Sequence, residues 1–148
     1  MYKLCGYWNL QKQTRIIAAL AFMCCGYNVG HLQHFNWLSG AAFLPWCVWS
    51  YLLLQQNLSL KNVLGAALVF YFFISSAHPG LIIGAFYFFI ATGIFIFLKN
   101  ENQLSTSNKI KRFLSSHVLL VAALVLLSSG MITVYLDIFP QFSRYTRV

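Results

Sequence analysis

His31, His34 and His78 are the side chains whose type and spacing invite a chemical reading, together with Asp137, Arg144 and Arg147 near the carboxyl terminus. His31 and His34 stand three residues apart, which places them on one face of a helix. With His78 they would supply three nitrogen ligands of the kind zinc accepts. His78 is far away in sequence, so the plainer reading is of polar groups at helix ends, with His78 capping a helix that starts at Pro79-Gly80. A second reading assigns His78 and Arg144, with His31 and His34, to contact with a phosphate or sugar, since guanidinium groups bind oxyanions through paired N–H donors. Asp137 also lies within reach of an ion pair with Arg144 or Arg147. Glu101 is the other carboxylate. It is expected on the opposite side of a membrane about 30 Å thick, too far for the two to work as a general acid and base. No Walker loop, GxSxG elbow, HExxH or dinucleotide fingerprint occurs. No catalytic residue, resident metal or cofactor is therefore assigned.

The elements that must position these groups are apolar helices. Of 148 residues 59% are hydrophobic and only 8% charged, against roughly 25% charged in soluble domains. Mean hydropathy is +0.69. These values indicate an all-α integral membrane protein. The formal charge of +8 reads as a topology signal rather than a nucleic-acid surface, because the basic residues form no stripe on a polar face, and nucleic acid is not expected as a partner. Cys5, Cys24, Cys25 and Cys47 lack CxxC spacing, and read as small apolar packing residues.

Between Lys61 and Lys99 there is no charged residue. A crossing needs about 20 apolar residues at 1.5 Å each, so this stretch holds two, reversed at Ser75-Ser76-Ala77-His78-Pro79-Gly80. Pro79 lacks an N–H and disfavours helix at the residue before it. Five crossings are expected in all: 15–33, 37–54, 61–77, 80–98 and 116–135. Residues 1–15 form an amino-terminal segment, 16–136 the membrane domain, 99–115 a hydrophilic loop and 137–148 a tail. Pro45 falls inside the second crossing, Trp37 and Tyr51 are placed at its two interfaces, and Gly84 and Gly93 would let the fourth helix approach a neighbour.

Five crossings put the termini on opposite sides. Lys3, Lys12, Arg15, Lys61, Lys99, Lys109, Lys111 and Arg112 then share the amino-terminal side, against Arg144 and Arg147 on the other. Positive charge marks the cytoplasmic side. The expectation is N-in/C-out, with both histidine-bearing turns facing outward and the lipid bilayer as the immediate partner.

Short motifs add a resemblance. Gly30-His31, Trp37…Phe43-Leu44-Pro45-Trp46, Ser76-Ala77-His78-Pro79-Gly80 and Ser128-Ser129-Gly130…Phe139-Pro140…Ser143-Arg144 resemble the middle of the bacterial YfhO-like membrane proteins, of the GT-C superfamily of polytopic glycosyltransferases. Ala77 stands where that family has glycine. The resemblance spans about 22–147. It implies a bacterial inner membrane, a polyprenyl-phosphate sugar as donor, and His78 and Arg144 on the lipid-phosphate side. Such enzymes use an acidic residue in their first outward loop, and residues 28–36 contain none. The resemblance therefore implies a truncated or split relative, inactive without a companion polypeptide. The alternative expectation is a small accessory or scaffold subunit of a membrane complex.

Overall fold

A computed structural model describes residues 1–30, 34–99 and 106–145. These residues form seven helices: α1 (Tyr2–Tyr7), α2 (Lys12–Met23), α3 (Gly26–Gly30), α4 (Phe35–Gln56), α5 (Leu60–Ser76), α6 (Pro79–Lys99) and α7 (Thr106–Tyr145). There is no strand among them, in keeping with an all-α membrane protein. By length and composition α4, α6 and α7 are each able to cross a bilayer, over Trp37–Gln56, Pro79–Leu98 and Ile110–Ile138. α5 is as apolar but shorter, at 17 residues.

α4 and α5 form an antiparallel hairpin joined by a short turn. Ser59 caps α5, its hydroxyl accepting the Asn62 N–H at 3.3 Å. The hairpin closes over small residues, with Ala66 and Ala67 on α5 and Cys47 and Leu54 on α4 fully or almost fully buried. Without water to drive apolar faces together, such close approach of small side chains holds membrane helices by dispersion. Gly40 makes the tightest join. A Cβ placed there would lie 2.5 Å from Ala77 Cα, so the start of α4 rests directly on the backbone of the α5–α6 turn. α7 packs on α5, and α6 packs mainly against α4 and α5.

Three sequence expectations change. The segment 15–33 is not one continuous helix. It breaks at Cys24-Cys25, between a 12-residue and a five-residue helix, and residues 31–33 lie outside the described residues. The carboxamide of buried Asn28 reaches back to donate to the Phe22 carbonyl at 2.6 Å, supplying a partner beside the break. Cys24 is accordingly exposed and Cys25 half-buried, whereas Cys5 and Cys47 are buried. The hydrophilic stretch 99–115 is helical from Thr106 onward, and α7 runs on through the expected tail to Tyr145. Tyr51, expected at an interface, is 2% exposed and belongs to the core.

The amino-terminal helices form their own small hairpin. α1 ends with Asn9 in the left-handed region, φ 54°. Its N–H donates to Gly6 O and that of Leu10 to Cys5 O, which is the Schellman pattern of helix termination. Arg15 fastens the hairpin, donating from Nε to Leu10 O at 2.6 Å with its guanidinium over the Tyr2 ring. Partial burial pushes the Tyr7 phenol above its usual pKa and the amino-terminal ammonium below its own, because desolvation disfavours each charged form.

Candidate functional site

Two clusters of polar side chains stand at opposite ends of the α4–α5 hairpin. At the turn between α5 and α6, His78 is the N-cap residue of α6. Its Nδ1 accepts the Gly80 N–H at 3.1 Å, with Pro79 at the first helical position, where a missing N–H costs nothing. The His78 ring lies against Trp37, centroids 4.4 Å apart, and His34 lies against the same indole at 5.0 Å. The fold thus gathers two of the sequence-assigned residues around one tryptophan. His31 lies outside the described residues. Arg144 is in the last turn of α7, and its side chain also lies outside them. Ser75 Oγ meets Met131 Sδ at 4.0 Å. Arg144 is thirteen residues further along, about 20 Å of helix, so α7 does not bring it level with His78. Among the described residues, no three His, Cys, Asp or Glu side chains converge as metal ligands would.

The second cluster went unassigned in the sequence. Near the carboxyl end of α4, the Tyr51 hydroxyl is 2.9 Å from His117 Nε2, and His117 Nδ1 is 2.7 Å from the Phe113 carbonyl. A carbonyl only accepts, so in the neutral ring Nδ1 carries the proton and Nε2 accepts from Tyr51. Ser116 is fully buried and exchanges hydrogen bonds with the Gln55 carboxamide at 3.3–3.4 Å. Arg112 donates to the carbonyls of Gln55 and Gln56. These are last-turn groups of α4 without partners in their own helix, at the negative end of its dipole. Residues read from sequence as a solvated connector therefore lock α7 onto the end of α4.

Above this cluster, between α6 and α7, is a cleft of about 550 Å3. Its walls are apolar, with Phe70, Phe86, Phe89, Ile90, Val121 and Leu124 among them, and Tyr51 and His117 are the polar side chains in its described lining. Gly93 forms part of the wall, and a Cβ there would come within 2.7 Å of the Tyr51 oxygen. Gly93 thus makes the close approach expected of it, whereas a Cβ on Gly84 would meet nothing within 4 Å.

Six other hydroxyls in these helices turn back onto their own backbone. Ser50, Ser75, Ser76, Thr92, Ser129 and Thr133 each donate to a carbonyl three or four residues earlier. Among the described residues no buried side-chain nitrogen or oxygen lacks a partner. Comparison with protein-family models, with curated proteins and with solved structures finds no match to this chain.

Proposed function

We propose that the chain is a multi-pass membrane subunit without catalytic activity of its own, acting beside a companion polypeptide. The supporting observation is where its polar side chains go. Ser50, Ser75, Ser76, Thr92, Ser129 and Thr133 close on their own helices, the Gln55–Arg112–Ser116 group fastens α7 to α4, and His78 is spent on a cap. Catalysis needs reactive groups that converge on a substrate, and the described side chains of the helices serve packing instead. The GT-C-type reading is the more specific form of this proposal. In it His34 and His78 stand beside Trp37 at the headgroup end, Arg144 lies further out along α7 and not at the same phosphate, and the companion supplies the activating carboxylate.

The proposed orientation follows the basic residues. Lys61, Lys99, Lys109, Lys111 and Arg112 belong to one end of α4–α7, which is assigned to the cytoplasm, and the His78 turn faces outward. The five-crossing N-in/C-out arrangement in a bacterial inner membrane completes the proposal. A reporter fused after Val148 is expected to read outside, and a cytoplasmic readout overturns it.

The functional test reconstitutes the purified chain alone with a polyprenyl-phosphate sugar. No sugar transfer is expected, and turnover by the lone chain overturns the non-catalytic reading. Retention of the lipid, lost in His78→Ala, supports the GT-C-type contact. Equal retention by that variant overturns it.

A further inference from the structure

We infer that the basic end of the α4–α7 helices, around Lys61, Lys111 and Arg112, holds the headgroup of an anionic phospholipid. The inference shares with the proposed function only the reading of these helices as membrane helices, and it holds whichever side that end faces. Four observations carry it.

First, the fold brings these residues to one place from different helices. Arg112 donates from Nη2 to the Gln55 and Gln56 carbonyls at the end of α4. Lys61 comes five residues after Gln56, across the tight turn that Asn62 closes by donating to Asn57 O at 2.8 Å. Lys111 adjoins Arg112 on α7. Second, the depth is that of headgroups. Lys61 stands three residues before exposed Leu64, and Lys111 three before exposed Leu114. Residues three apart share a helix face. Each lysine is therefore at the polar edge of an outward apolar stripe, where a long basic side chain reaches the headgroup layer. Third, the charge has no internal counterpart. Lys61 and Lys111 are exposed and have no partner among the described residues. The described side-chain carboxylate, Asp137, stands 25 residues beyond Arg112 on α7, about 38 Å of helix, and Glu101 lies outside the described residues. The helix dipole does not account for Lys61 either, since it occupies the first turn of α5, where a cation is disfavoured. Fourth, Arg112 is prepared for an oxyanion. Its guanidinium is half-buried and fixed by two carbonyls that use Nη2 alone. Its Nε–H and both Nη1–H donors keep no partner among the described residues, and a phosphodiester supplies strong acceptors for such donors. The headgroup's own charge then selects the class. A zwitterionic headgroup would bring a further cation into this cluster, whereas a net-negative one neutralises it.

The test uses the full chain in phosphatidylcholine vesicles carrying a trace of photoactivatable lipid. The diazirine sits near the glycerol, and the head is either phosphatidylglycerol or phosphatidylcholine. The phosphatidylglycerol probe is expected to label the starts of α5 and α7 about fivefold more than the phosphatidylcholine probe, the worth of one basic side chain beside the membrane. Lys61→Gln with Lys111→Gln should reduce that ratio to less than about twofold. Both positions are exposed, so the double variant should unfold like the native chain. Lys61→Arg with Lys111→Arg should keep the preference. Lys3→Gln with Lys12→Gln removes equal charge from the amino-terminal hairpin and should also leave it unchanged. Added inorganic phosphate should not compete. Equal labelling by the two probes overturns the site, as does a preference that survives the double glutamine variant or falls equally with the Lys3 and Lys12 pair. Competition by inorganic phosphate assigns the cluster to a free anion and overturns the lipid. Absence of labelling by either probe overturns the membrane reading itself, and the site with it.

Discussion

The close approach of Gly40 to Ala77 offers the sharpest quantitative test of the fold. Alanine is normally the better helix residue by about 1 kcal/mol, so Gly40→Ala on an open helix face would stabilise. Here the new Cβ would fall 2.5 Å from Ala77 Cα, 2.6 Å from its Cβ and 3.2 Å from its nitrogen. Carbon atoms rest at about 3.5–4.0 Å, so α4 and the turn must part by about 1 Å. The obstacle is backbone, and it cannot move aside as a flexible side-chain tip would. The neighbouring His78 cap and its Trp37 stack would be carried along. Overpacking of this kind costs about 1–3 kcal/mol, and offsetting the intrinsic gain leaves a net loss of up to about 2 kcal/mol, against a gain at the open sites. Gly65→Ala and Gly84→Ala are the controls, since a Cβ at either site meets nothing within 4 Å. Both should be neutral or stabilising by up to about 1 kcal/mol. The assay is equilibrium unfolding in mixed detergent–SDS micelles, followed by tryptophan fluorescence. Adding Ala77→Gly to Gly40→Ala relieves the clash with the Ala77 methyl group but leaves the clash with the backbone of residue 77, so recovery should be partial. A Gly40→Ala protein as stable as the controls, or complete rescue by the double substitution, refutes the reasoning.

Arg112→Ala should destabilise by about 1.5–3 kcal/mol in the same assay, because it strips a charged donor from the last carbonyls of α4, and Arg112→Lys should recover part of the loss. Asn28→Ala should cost about 1 kcal/mol and speed amide exchange over Cys24–Gly30, where the carboxamide now steadies the break. Native protein treated with a maleimide should react fast at Cys24 and slowly at Cys5 and Cys47, which become reactive only on unfolding. Fast native labelling of Cys47 would contradict its full burial against α5.

Much of the helical framework can be read from the residues, because apolar runs and their punctuation act locally. The Pro79-Gly80 reversal and the polar turn between the crossings 37–54 and 61–77 appear where proline, glycine and asparagine place them, so α4, α5 and α6 start and stop close to the expected segments. The break at Cys24-Cys25 has Gly26 beside it, but a lone glycine is common within membrane helices and does not by itself mark an end. It is partnered by Asn28, whose side chain looks from sequence like one more polar residue near a helix end. The start of α7 is obscured differently. Lys109, Lys111 and Arg112 read as loop because of their charge, yet long basic side chains are compatible with helix, and Arg112 is used on α4. His117 was legible in principle as an ionisable residue beside a Leu/Val/Ala run. Its meaning was not, because Tyr51 lies 66 residues away and only the pairing of α4 with α7 joins them.

The unequal lengths of two packed neighbours have a consequence for the surrounding bilayer. The apolar part of α7 spans 29 residues, about 44 Å of helix. α5 has 17 residues, about 26 Å. A hydrocarbon layer of about 30 Å matches neither. α7 has to lean, or gather thicker lipid around its outer face, while the lipid thins beside α5. Each ångström of mismatch costs a fraction of a kcal/mol. Under the proposed five-crossing arrangement, the tilt of α7 is therefore expected to shift as acyl chains lengthen or shorten.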